Sequence, residues 1–251
     1  MNAKKLSFLL LILVAVACTN RSTSSEQDEM RHWNNVLQQI NALLLENKAR
    51  QTLDLAKQTL PEILESAEKN GTTDTLIYYA RKIFNACGNN YINTKQYKDG
   101  IDYMDSIGNH PLIREHCPHE LLSFKAGLNQ LYGNNPEAVR LAEDYLQLPV
   151  CTSANDFIRQ AEIISGVYMY SGNNLPKAIQ ILEKAIDVYR KGGNFPNMLR
   201  IMSRLGIYYH LSGEYEKAIA TNQEAIATYN DSIAPGNVVI AYGEQAKDRK
   251  S

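Results

Sequence analysis

The chain has 251 residues, 44% of them hydrophobic and 21% charged, with 26 basic residues against 27 acidic ones and a formal net charge of −1. This length and apolar share support a sizeable packed core and exclude wholesale disorder, while the near-neutral balance offers no electrostatic footprint for nucleic acid. Glycine and proline are few and sustained apolar alternation is missing, so extended sheet is disfavoured and an all-α fold is expected.

The chain opens with Lys4 and Lys5, an apolar run from Leu6 to Ala17, and then Cys18 followed by the polar Thr19-Asn20-Arg21-Ser22. Twelve helical residues rise about 18 Å, well short of a bilayer core of about 30 Å, so the run reads as an export signal and not as a membrane span. Ala15-Val16-Ala17 satisfies the small-residue rule for cleavage, and together with Cys18 it resembles the lipobox of bacterial lipoproteins, with Ala15 where that motif usually has leucine. The resemblance implies cleavage after Ala17, diacylation of Cys18 and attachment to a membrane. Plain secretion would cut at the same bond. By the same resemblance Thr19 lacks the aspartate that retains lipoproteins at the inner membrane, which implies a bacterial cell-envelope protein on the outer membrane, facing the periplasm.

The expected organisation is a signal peptide at 1–17, a flexible tether at 18–29 and a helical domain at 30–251. Removing the signal peptide takes away two lysines and leaves 24 basic and 27 acidic residues, a net charge of −3. The polar tether has a mean reach of roughly 18 Å, and its last residues also suit a first helical turn. Beyond it, Arg31 to Glu46 carries Trp33, Val36, Leu37, Ile40, Leu43 and Leu44 at helical spacing, which predicts one buried face. Ala49 to Lys69 continues with Leu53, Leu55, Ala56, Leu60, Ile63 and Leu64 before Asn70-Gly71 stops it. Pro61 inside that run predicts a kink or a break near Leu60.

From here the chain repeats. Ala138-Val139, Ala178-Ile179 and Ala218-Ile219 recur every forty residues, and Gly100-Ile101 takes the same place 38 residues earlier. A small residue there lets a second helix lie close on its own first helix. Gly133-Asn134-Asn135-Pro136, Gly172-Asn173-Asn174-Leu175-Pro176 and Gly213-Glu214-Tyr215-Glu216 each read as a helix stop followed by a helix start. The most regular copy, Met202 to Asn230, is two amphipathic helices joined at Gly213. Neither helix can bury its apolar side alone, so such units must stack.

These units resemble the tetratricopeptide repeat. Leu205, Gly206, Tyr209, Gly213, Tyr215, Ala218 and Ala225 carry the pattern in one copy, Gly88, Tyr91, Tyr97 and Gly100 in another, and Gly166, Ala178 and Ala185 in a third. The units exceed the usual 34 residues, with the excess between repeats, as at Lys191 to Pro196. The copy between Pro118 and Leu148 has Ala126 where glycine is expected. The resemblance implies a right-handed superhelical solenoid of about five helix pairs. Pro235-Gly236 and the apolar Val238, Val239 and Tyr242 then predict a further C-terminal helix, either a cap or the start of a longer protein.

The resemblance also implies a concave groove, lined by the first helix of each pair, that binds a peptide or a partner helix. By motif position its lining is Lys82, Asn85, Asn89 and Asn93, then Ser123 and Gln130, then Gln160 and Tyr170, and then Arg200, Ser203, Arg204 and His210. Arg200 and Arg204 stand one turn apart on one helix face. Tyr91, Tyr97, Tyr209 and Tyr215 occupy packing positions.

No nucleotide, protease or hydrolase motif is present, so no enzyme activity and no cofactor are expected. His110, His116, Cys117 and His119 lie within ten residues, but their spacing fits no zinc site and they fall in an expected loop between repeats. Cys117 opens the third unit's first helix and Cys151 follows its second, so an antiparallel pair brings them to one edge, where a disulfide can form. Cys87 reads as a small buried hydrophobe. The expected function is a lipid-anchored protein-interaction module with an unidentified protein or peptide partner. The alternatives are the sensory front of an envelope signalling or transcriptional regulator, and a nutrient- or glycan-binding lipoprotein.

Overall fold

The computed structural model describes residues 28–149, 154–192 and 195–227, so the Cys18 lipidation site, Cys151 and the expected C-terminal helix lie outside the described residues. Helix α1 covers 28–45 and is followed by α2 (Ala49–Asn70), α3 (Asp74–Asn93), α4 (Tyr97–Ile107), α5 (Pro111–His116), α6 (Pro118–Tyr132), α7 (Asn135–Gln147), α8 (Ala154–Tyr170), α9 (Leu175–Gly192), α10 (Phe195–Leu211) and α11 (Tyr215–Ala227). The described residues hold no strand, and none of their helices is long and apolar enough to cross a membrane.

Two compact units divide within α3, after Asn90. In the first, Trp33, Val36 and Ile40 of α1 are buried, as are Leu53, Ala56, Leu60 and Ile63 of α2. The spacing of apolar residues therefore located both buried faces, except that Leu44 is 42% exposed. The helix begins within the expected tether, where Glu29 accepts a hydrogen bond from Ser66 of α2 at 2.8 Å. The break expected at Pro61 does not occur: α2 is continuous through it. Pro61 is exposed, on the side of the helix that meets water, where the amide that a proline lacks costs least.

In the second unit α6 packs on α7, α8 on α9 and α10 on α11, and each pair stacks on the next. The turn inside each pair contains one left-handed residue: Asn47, Lys95, Gly133, Asn173 and Gly213, the last three forty residues apart. At Gly133 the positive φ ends α6 and lets its amide, with that of Asn134, reach the carbonyl of Asn129. In the next copy Asn173 takes this role, which explains why the glycine there is displaced by one. The excess length falls where expected, α9 having 18 residues against 13 for α7 and α11.

Ala138, Ala178 and Ala218 are fully buried at the pair contact. Gly100 replaces alanine because a Cβ there would stand 3.0 Å from Tyr91. Successive second helices are tied by ion pairs 34 residues apart. Lys177 reaches Glu143 at 2.6 Å, and Arg190 spans both Glu224 oxygens at 2.8 Å.

The two motif glycines of the last pairs differ. A Cβ on Gly206 would lie 2.4 Å from Oδ1 of the buried Asn222 on α11, whereas one on the buried Gly166 meets nothing within 4 Å. Gly206→Ala is therefore expected to destabilise by about 1–3 kcal/mol through overpacking. Gly166→Ala is expected to stabilise by about 0.5–1 kcal/mol through helix propensity. Urea denaturation of the two variants checks the contrast, and equal losses would mean that the α10–α11 contact is misplaced.

Candidate binding face on the first helices

Helices α6, α8 and α10 are the first helices of three successive pairs, and the expected lining residues of the second unit fall on them or, for Asn93, at the end of α3. Asn93 is exposed, as is Tyr170 at 68%, while Gln130, Arg200, Arg204 and His210 are half-buried. Lys82, Asn85 and Asn89 are half-buried on α3 in the first unit, with the Lys82 ammonium 5.8 Å from the Tyr78 ring centroid.

Three expected lining residues are corrected. Ser203 is 2% exposed, and its hydroxyl donates to the Leu199 carbonyl one turn back at 2.9 Å. Ser123 is likewise buried on the Glu120 carbonyl, and Gln160 is buried under the Tyr145 hydroxyl, which donates to it at 3.1 Å. Of the expected packing tyrosines, Tyr91 and Tyr209 are buried, but Tyr215 is 44% exposed and meets His210 edge-on at 5.3 Å.

Arg200 and Arg204 converge on a residue the sequence reading passed over. Glu162 of α8 is 2% exposed, and its Oε2 lies 2.6 Å from Nη2 of Arg200 and 3.5 Å from Nη1 of Arg159. Arg204 donates to the Glu162 carbonyl at 3.2 Å, and Ser165 donates to the same oxygen at 3.0 Å. Burial pushes the Arg159 guanidinium below its ordinary value; Glu162 opposes that shift, and the positive charges of Arg200 and Arg204 add to it. The signal was available, since Glu162 stands 38 residues before Arg200, one repeat away, and Arg159 precedes Glu162 by one turn.

The expected loop after α4 contains the short helix α5. Pro111 begins it, and His110 caps it, Nδ1 accepting from the Leu112 amide at 3.2 Å. Nε2 of His119 lies 2.7 Å from the Pro149 carbonyl. These histidines therefore have structural roles, and the described residues contain no group of three metal-ligating side chains. Cys87 and Cys117 are fully buried. The Cys117–Cys151 pairing involves a residue outside the described ones.

A separate cavity of about 320 Å³ lies among α9, α10 and α11. Its polar wall is occupied by internal contacts, Tyr209 with Glu183 and Arg190 with Glu224 and Asp187.

Comparison with known proteins agrees with this architecture. Residues 161–231 match the family model for the tetratricopeptide repeat. The fold is similar to the crystal structure of BtubC (BKLC) from P. vanneervenii, with a TM-score of 0.60 and 12% identity over 80% of this chain and 83% of that one. A putative kinesin light chain repeat protein from Podosopora anserina reaches a TM-score of 0.48 at 13% identity, covering 87% of this chain and 96% of that one. MamA from Desulfovibrio magneticus RS-1 reaches 0.45 at 13% identity, covering 80% and 94%. No curated protein matches by sequence. The chain is an all-α protein of stacked, tetratricopeptide-like helix pairs, and residues 161–231 carry the family's sequence pattern.

Proposed function

We propose that the protein is a lipid-anchored module of the bacterial cell envelope that binds a protein partner along the first-helix face of α8 and α10. The observation that carries the reading is the composition of that face. Tyr170 stands 68% exposed at the end of α8, and Arg159 and Arg200 keep 34% and 41% of their side chains accessible. Exposed tyrosine and arginine are the side chains that most often anchor protein interfaces. The helix pairs beneath are packed through fully buried alanines, so the face is held by a rigid support. Cys18 supplies the membrane attachment, and the partner lies in the periplasm.

The test is capture of partners from detergent-solubilised envelopes by the wild-type chain, by Asn89→Ala and by Arg204→Ala. A partner held by the wild type and lost from Arg204→Ala supports the face. An identical set of partners from all three proteins would sink it.

A further inference from the structure

The most exposed large apolar side chain of the described residues lies at the tip of the first unit. Leu45, at the C-terminal end of α1, is 87% exposed, and Leu44 beside it is 42% exposed. Leu43 before them is half-buried, so three leucines in a row close the helix, whereas its buried face is built from Trp33, Val36 and Ile40. The backbone of this turn is closed on itself. The amides of Glu46, Asn47 and Lys48 donate to the carbonyls of Ala42, Leu44 and Leu43 at 2.9 to 3.1 Å, and Asn47 takes the left-handed conformation with φ 55°. Glu46 and Lys48 pair with each other at 2.6 Å. The tip therefore presents leucine with three carbonyls and both adjacent charges already matched.

We propose that the Leu44–Leu45 turn dips into the lipid bilayer that carries the protein. The inference rests on the anchor at Cys18 proposed above. Residues 19–27 separate that cysteine from α1, a span of about 30 Å when extended, and α1 itself is about 27 Å long. The tether is thus long enough for the far end of α1 to meet the same bilayer at any tilt of the helix. Lipid suits the tip better than a protein surface does, since leucine is under-represented among the residues that anchor protein interfaces and enters the acyl region favourably. A backbone whose carbonyls are satisfied locally enters with little loss. Lys48, on a flexible stem, keeps its ammonium among the headgroups. Two leucines are too little to hold a protein on a membrane by themselves, so the turn orients the anchored chain and does not replace the anchor.

The test uses the mature, acylated full chain in vesicles of phosphatidylethanolamine and phosphatidylglycerol whose acyl chains carry bromine, a contact quencher. An environment-sensitive fluorescent residue at Glu46 should be quenched, and one at Gln180, exposed on α9, should not. Leu45→Ser should lower the ratio of docked to undocked turn about tenfold, the effect of losing one buried leucine side chain. Its melting temperature should stay that of the wild type, because the side chain makes little internal contact. Leu44→Ser combined with Leu45→Ser should remove the quenching altogether. No quenching at Glu46 in a chain that sediments with the vesicles, equal quenching at Gln180, or quenching that survives both substitutions overturns the proposal and leaves the anchor standing. A partner protein captured by the wild type and lost from the double variant, with no quenching in pure lipid, would assign the turn to protein contact and likewise overturn it. A chain that is not acylated and does not sediment removes the anchor. The turn is then judged with the chain from residue 18 onward, tied by an N-terminal hexahistidine tag to nickel-chelating lipid in the same vesicles, where the same pattern of quenching supports it and its absence overturns it.

Discussion

Glu162→Ala is expected to destabilise the chain by about 3 kcal/mol, the low end of the range for removing one member of a buried ion pair. The low end applies because Arg159 and Arg200 retain partial access to solvent while Glu162 has almost none. The loss comes mainly from three like charges left facing one another, so it should shrink when one of them is removed as well. In chemical denaturation Glu162→Ala with Arg200→Met should therefore recover part of the stability lost by Glu162→Ala alone. A single variant as stable as the wild type would mean that the arginines relax into solvent and that no organised cluster exists between α8 and α10.

Cys18→Ser is expected to abolish membrane attachment. Acyl burial contributes about 0.8 kcal/mol per CH₂, so several chains on Cys18 hold a protein on a bilayer almost permanently, and the serine variant has no such chains. Fractionation of cells should move the protein from the envelope pellet to the soluble fraction. Metabolic labelling with palmitate should mark the wild type alone, and globomycin should retain the unprocessed form of the wild type. A serine variant that stays in the pellet and an unlabelled wild type would together remove the lipid anchor from the account.

The architecture was largely readable from local chemistry. Alanine or glycine every 38 to 40 residues marks the pair contact, and Gly133 and Gly213 mark left-handed turns that few other residues adopt. The spacing of Trp33, Val36 and Ile40 located a buried face in the first unit in the same way. Short α5 was hidden because six residues carry too little periodicity to register. Pro61 misled because the cost of a proline depends on whether its side of the helix meets water, and the sequence does not display that.

The candidate face was readable only in part, for a different reason. Motif position says which side of a helix a residue occupies but not how deeply its neighbours cover it. Ser203 and Arg204 are adjacent in sequence, yet one is buried on its own helix and the other crosses to α8. Glu162 escaped notice because a lone glutamate on a helix is ordinary until a neighbouring repeat brings arginines onto it. Pairing positions one repeat apart identifies such contacts, and it joins Glu143 to Lys177 and Arg190 to Glu224 as well.

The claim that the first-helix face of α8 and α10 receives the partner is tested most directly by site-specific photo-crosslinking in intact cells. A photoreactive residue at Tyr170 should give a discrete higher-mass adduct, and one at Gln180, exposed on the second helix α9, should give none. Adducts from Gln180 with none from Tyr170 would place the partner on the other side and contradict the account.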